Sequence, residues 1–477
     1  MPKLSHTDPA LLAAVEQLRL FRRRELSPVE VAKAALARIA RHDPAVNAFC
    51  LVDQDGALTA AKASEARWQA GEPQGLVDGV PATIKDITIA RGWPTGRGSR
   101  LTDPRKRESE DAPAVARLRE EGAVLIGKTT TPEFGWKGLT DSPLTGVTRN
   151  PWNTACTPGG SSGGAAAAAV LGLGTLHTGT DGAGSVRIPS GFSGCFGLKP
   201  SYGAIPLYPA SPYGSIAVLG PMTRTVGDAA LMMSVMARPD TRDANAQRGP
   251  RPDFRIGLDD GVKGLRIAYS PELGGHARKV DPEIAKAVAL AVTVLGDLGA
   301  HVEEADPDLP GDMEETLLTI WRAGCAMILD GFGKIKPEVL DPGFLAMAEA
   351  GRAITAAEFL RASARRADLS ERMRRFHERF DLLASPTLPL PAFAAGHNVP
   401  PDGAWGKDWW QWTPFTYPFN LTQQPGSSCP AGFTEAGLPI GLQIIGPLGA
   451  DGLVLRASRA FESARPFVMT DQPIAAR

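Results

Sequence analysis

Between Thr154 and Pro206 the chain concentrates glycine and serine around an alanine-rich stretch, and no other segment restricts the possible folds as tightly. Backbone this rich in glycine has to turn sharply or pass close to another group. PGGSSGG at 158–164 runs directly into the alanines, which predicts a tight turn carrying Ser161 and Ser162 at the N-terminus of a buried helix. Backbone N–H groups lack intrahelical partners there. Downstream, GTDGAGS at 179–185 sets Gly182, Ala183 and Gly184 ahead of Ser185, a pattern that lets successive amides face one cavity and hold an anion. Taken singly, the first segment reads equally well as a plain N-cap and the second as a glycine-rich turn.

The flanking texture predicts an α/β protein. Residues 8–70 alternate apolar and charged positions at helical spacing, as in LLAAVEQLRLF and VEVAKAALARI, with Ser27, Pro28 and Glu30 marking a helix start. A helical N-terminal layer over 1–70 is therefore expected. From Gly79 short strand-like runs appear: VPATIKDITIA, then the helical APAVARLREEG, then AVLIGKT. Strand, helix and strand in that order imply a parallel pair. The polar stretch Arg238–Gly257 reads as a surface loop before the strand LRIAYSPEL and the helix EIAKAVALAVTVLGDLG.

Composition excludes several classes. With 43% hydrophobic and 22% charged residues over 477 positions, the chain can bury a sizeable core. The net charge is -1, from 51 basic and 52 acidic side chains, so phosphate backbones would not attract it and no nucleic-acid partner is expected. Arg22, Arg23 and Arg24 beside Glu25 read as a solvated helix face. Five widely spaced cysteines, Cys50, Cys156, Cys195, Cys325 and Cys429, without a CxxC argue for a reducing compartment rather than a disulfide framework. The first residues lack a signal-peptide pattern, so a cytoplasmic location is expected. The apolar run Ala165–Leu176 is interrupted by Gly172 and Gly174 and is too short to span a bilayer, so no membrane role is expected.

Two short motifs mislead. GAVLIGKT at 122–129 matches a phosphate loop, but its apolar strand lies between the glycines and Pro132 follows, so Lys128 is read as exposed beyond a strand end. Gly160, Ser162 and Gly164 match a nucleophile elbow, yet none of the later histidines His276, His301, His377 and His397 has a recognisable setting. No His, Cys or acidic pair shows metal-ligand spacing, and no metal site is expected.

Amide attack needs a nucleophile, a base titrating near the working pH, and N–H donors for the developing oxyanion. Ser185 and the preceding amides are candidates for the first and third. Lys85 lies in the apolar run PATIKDITIA; burial there would disfavour its charged form and make it a base. Pairing with Asp86 at a strand end is the alternative.

The long serine and glycine run ending in GLKPSYG resembles the signature of the amidase signature family. DGVPATIKD at 78–86, IGKTTTPEFGW at 126–136, LGPMTRTVGDAA at 219–230, SPTLPLP and PFNLTQQPGSSCPAG support the match. The resemblance implies one α/β unit over 1–477 with a large mixed β-sheet surrounded by helices, its signature core at about 79–235. It implies a Ser-Ser-Lys triad with no metal and no organic cofactor: Lys85 as base, Ser161 as proton shuttle after a cis peptide bond, Ser185 as nucleophile. The oxyanion donors fall on the amides of Gly182, Ala183, Gly184 and Ser185, while Ser162, Asp181 and Arg187 are supporting residues. The family commonly has glycine where Ala183 stands, and Gly182 is expected to absorb any strain this causes. Small aryl or alkyl amides are the implied substrates, with carbamates and esters as relatives. The glutaminase subunit of a tRNA-dependent amidotransferase, and a noncatalytic relative, are the alternatives. A homodimer is allowed. The aromatic segment Trp405–Phe419, WGKDWWQWTPFTYPF, is read either as a lid or wall of the substrate funnel or as an ordinary packed loop.

Overall fold

The computed structural model describes residues 8–249, 252–333 and 335–475. Its strands are β1 Phe49–Val52, β2 Pro81–Lys85, β3 Val124–Thr129, β4 Asp141–Ser142, β5 Gly146–Val147, β6 Leu176–Asp181, β7 Phe196–Lys199, β8 Val218–Thr223, β9 Arg266–Tyr269, β10 His301–Glu304, β11 Leu382–Pro386, β12 Gly426–Phe433 and β13 Pro439–Ile445. Apart from the β4–β5 hairpin they form one eleven-stranded sheet in the order β1-β3-β2-β6-β8-β7-β12-β13-β11-β9-β10. The sheet is mixed: β2 runs parallel to β3 and β6, while β8 is antiparallel to β6 and β7. Helices surround it, so the fold is the large mixed α/β architecture expected from the sequence.

Local chemistry explains the elements around the site. The helix Pro28–Val46 starts on a capping box, in which Ser27 Oγ accepts from the Val29 amide at 3.0 Å and Glu30 accepts from the Ser27 amide at 2.8 Å. The helix Pro113–Glu120 connects β2 to β3, the crossover that a parallel pair requires. The alanine helix Gly163–Leu171 is buried along its whole length; only such small side chains let it lie so close to β2, β3, β6 and β8.

Two expectations need correction. The N-terminal layer is not wholly helical: the apolar run FCLV forms β1, antiparallel to β3 at the sheet edge, after Asn47 ends the preceding helix at φ 53°. Lys128 is not exposed. It lies inside β3, fully buried, with its Nζ 3.0 Å from Asp86 Oδ1 and donating to Pro94 O and Thr95 Oγ1. The strand does fill the space between Gly122 and Lys128, which excludes a phosphate loop. Beyond the polar loop that follows the helix Val226–Met236, β9 joins the same sheet. Among the described residues no helix is long and apolar enough to cross a membrane.

Candidate active site

Strand β2 ends on Lys85, which projects towards the turn preceding the alanine helix. Its Nζ is within hydrogen-bonding distance of three hydroxyls: Ser161 Oγ at 2.7 Å, Ser162 Oγ at 2.8 Å and Thr180 Oγ1 at 2.8 Å. No carboxylate forms an ion pair with it among the described residues; Asp86, next in sequence, pairs instead with Lys128. Burial pushes the Lys85 amine well below the ordinary lysine range, and the charge of Asp181 opposes only part of that shift. The peptide bond Gly160–Ser161 is cis.

Ser185 follows β6 on the turn 182–186, and its own carbonyl accepts from the Ser162 amide at 3.2 Å, which ties the two serine-bearing turns together. Ser161 and Ser185 line one cavity with Gly182 and Thr180. Buried Asp181 braces the turn: its carboxylate accepts from the Gly184 amide at 2.7 Å, from the Val186 amide at 3.2 Å and from Arg187 Nε and Nη2 at 3.0 Å each. Asn420 adds a bond to the same carboxylate at 2.9 Å. Burial would raise the Asp181 carboxyl, but the Arg187 charge and these hydrogen bonds outweigh it and hold the group far below the usual carboxylate range. Asp181 and Arg187 are thus a neutralised pair that shapes the loop.

The amide inventory revises one expectation. The Gly184 N–H is directed at Asp181, so it is not free to meet an oxyanion, whereas the amides of Gly182, Ala183 and Ser185 meet no acceptor among the described residues. Nor does Gly182 relieve strain for Ala183: the single positive φ in the turn is Gly184 at 124°, where a Cβ would come within 2.4 Å of Thr416 Oγ1. Alanine fits at 183 because the left-handed position is the next one. Glycine at 182 suits the turn for another reason, since a Cβ there would sit tightly, 3.0 Å from the Trp321 ring, and would press on it.

Ser162 is fully buried; its Oγ accepts from Lys85 and from the Thr180 amide at 3.2 Å. It has no access to the cavity as an elbow nucleophile would. Of the four histidines, His276 pairs with Tyr417 Oη at 2.9 Å and His377 with Phe380 O and Gln424, while His301 and His397 are exposed, and none of the four lines the cavity. No group of three or more His, Cys, Asp or Glu residues among those described could hold a metal ion.

The cavity opens to solvent, and about 1030 Å³ of space lies within it and at its mouth. Its wall is apolar, built from Ile87, Phe134, Leu207, Tyr213, Trp321 and Ile328 among others. Tyr213 and Trp321 stack with ring centroids 3.9 Å apart. None of the segment Trp405–Phe419 lines it. Trp409, Trp410, Trp412, Phe415 and Phe419 are buried, and Trp409 supports Trp321 from behind with an edge contact at 5.8 Å. From Trp409 to Phe419 the segment is packed core apart from exposed Gln411, and residues 405–408 lie at the surface away from the cavity, which corrects the lid or funnel-wall reading. Thr180, Trp321 and Tyr213 were not singled out from the sequence. Thr180 was accessible to it, because side chains alternate along LHTGTD; Trp321, on an amphipathic helix, looks like any core residue.

Comparison with known proteins agrees with this geometry. The Amidase family model matches residues 30–455. An acylamidase of Rhodococcus erythropolis is 39% identical over 96% of both chains. A glutamyl-tRNA(Gln) amidotransferase component of Myxococcus xanthus (strain DK1622) is 37% identical over 94% of this chain and 96% of its own. The crystal structure of a bacterial aryl acylamidase of the amidase signature family superposes with a TM-score of 0.88 at 32% identity, covering 96% of each chain. With this fold and these relatives, the chain belongs to the amidase signature family, enzymes that hydrolyse carbon–nitrogen bonds other than peptide bonds.

Proposed function

We propose that the chain is a self-sufficient acylamidase that cleaves small aryl or alkyl amides through an acyl-enzyme on Ser185. The observation that carries this reading is Lys85: a buried, desolvated amine without a carboxylate partner, 2.7 Å from the Oγ of Ser161, which lines the same apolar cavity as Ser185. Neutral Lys85 takes the proton of Ser161 while Ser161 takes that of Ser185, and Ser185 Oγ attacks the carbonyl carbon. The amides of Gly182, Ala183 and Ser185 receive the oxyanion. Collapse breaks the C–N bond as the proton returns through Ser161 to the leaving nitrogen. Water then repeats the cycle and releases the acid. Asp181 and Arg187 hold the turn, and Ser162 and Thr180 hold the lysine.

Carbamates and esters present the same acyl carbon and belong to the same substrate range. A glutaminase must grip both the ammonium and the carboxylate of its substrate; among the described residues no acidic side chain lines this cavity, which favours the acylamidase reading. Strands drawn from Phe49 to Ile445 into one sheet support a single catalytic unit. Five free cysteines, Cys50 exposed, support a cytoplasmic location. The test is hydrolysis by the purified chain alone of anilides, primary amides, carbamates, esters and glutamine, with rapid quench and intact-mass analysis. A burst of amine ahead of acid and an acyl adduct on the Ser185 peptide are expected. Turnover of glutamine only, or only with added partner proteins, would overturn the reading.

A further inference from the structure

Arg97 is the one charged side chain among the described residues that line the cavity. Its backbone is tied down on both sides: the amide donates to Asp86 O at 3.0 Å and the carbonyl accepts from the Phe134 amide at 2.7 Å. Its guanidinium has neither a hydrogen bond nor an ion pair among the described residues, although the residue is half-buried. Its φ is 52°, a left-handed conformation that disfavours any side chain, between Gly96 and Gly98 in a stretch where glycine would be the easier choice. An arginine that lines an apolar chamber and has no protein partner for its guanidinium keeps a planar fork of N–H donors free, an arrangement that matches a carboxylate.

We propose that Arg97 is a specificity-determining residue and that the preferred substrates are amides bearing one carboxylate on an otherwise apolar body. This rests on the acylamidase reading of the cavity. One cation and no lining acid suit a monoanion and disfavour a zwitterion such as free glutamine, whose ammonium would find no acidic partner. A partly desolvated guanidinium–carboxylate contact is strong enough for roughly 10-fold to 100-fold discrimination.

The test uses two matched pairs: glutaryl against pentanoyl para-nitroanilide, with the charge on the acyl side, and butyryl para-carboxyanilide against butyryl anilide, with the charge on the amine side. For the wild type, kcat/KM should favour the carboxylate member of at least one pair by about 10-fold or more. In Arg97→Asn, a residue that tolerates the left-handed backbone, that ratio should fall to about one, and in Arg97→Glu below one. Arg97→Lys should keep part of the preference. Calorimetric binding of the same pairs to Ser185→Ala, with and without Arg97→Asn, reads the contact independently of turnover. If both members of each pair bind or react equally in the wild type, or if the ratio survives Arg97→Asn and Arg97→Glu, Arg97 does not set specificity. Absence of turnover with every anilide, while the binding ratio still depends on Arg97, would instead overturn the reaction assigned to the cavity.

Discussion

Lys85 on β2 and Lys128 on β3 lie one register step apart, Ile84 opposite Lys128 and Lys85 opposite Thr129, and both are fully buried. Side chains alternate along a strand, so the two amines leave the sheet on opposite faces. Burial lowers both. What differs is the company. Lys128 meets Asp86 at 3.0 Å, whose charge works against desolvation. Lys85 meets three hydroxyls and only the distant field of Asp181, already paired with Arg187. Desolvation is common to the two sites, and the presence or absence of a touching carboxylate separates a structural cation from a candidate base.

The largest expected effect is on rate. Ser185→Ala and Lys85→Ala should each lower kcat by about 10³-fold or more. Lys85→Arg should be nearly as inactive as Lys85→Ala, because arginine keeps the charge and cannot give up a proton at working pH. Steady-state kinetics with an anilide measures all three, and an arginine variant working near the wild-type rate would erase the contrast with Lys128. Stability should show the reverse pattern. Lys128→Met leaves Asp86 buried and unpaired and should cost about 3–5 kcal/mol in urea unfolding. Lys85→Met removes a desolvated amine together with its hydrogen bonds to Ser161, Ser162 and Thr180; relief of the desolvation outweighs their loss, and the protein should be about 1–3 kcal/mol more stable near pH 7.

Much of this site was legible in the sequence, because its chemistry is written in local runs. PATIKD, PGGSSGG and GTDGAGS each predict a strand end or a tight turn, and the structure brings Lys85, Ser161 and Ser185 to one place. The fate of Lys128 was not legible: its partner Asp86 lies on the neighbouring strand's exit, and only the parallel register joins them. The cavity wall was hidden for the same reason. Phe134, Tyr213 and Trp321 come from three distant segments, whereas the conspicuous aromatic cluster at 405–419 packs behind them.

The pH dependence follows from the sign of the Lys85 shift. Below its folded pKa the lysine is protonated in both states, and folding bears the whole cost of burying an ammonium. Between that value and the unfolded lysine value of about 10.4 the unfolded chain binds the extra proton, so stability rises with pH across this window. Activity should rise through the same folded pKa as the neutral amine forms. The stability gap between Lys85→Met and wild type should therefore narrow as pH rises towards 10, which urea titrations at several pH values would reveal. Burial also lowers Lys199, to about 7; it is present in both proteins and cancels from the difference.

The smallest effect belongs to Ser162. Its hydroxyl is one of three on Lys85, and a single hydrogen bond contributes about 0.5–1.5 kcal/mol, so Ser162→Ala should slow turnover by about 10-fold or less. The profile should move as well as fall. A hydroxyl oxygen stabilises an ammonium more than an amine, so its loss lowers the lysine further, and the rising limb of the pH–rate curve should shift to lower pH. A Ser162 elbow nucleophile would instead lose all turnover on this substitution. A fall by three orders of magnitude or more would transfer the attack from Ser185 to Ser162. A small fall with an unmoved profile would mean that Ser161 and Thr180 alone set the state of Lys85.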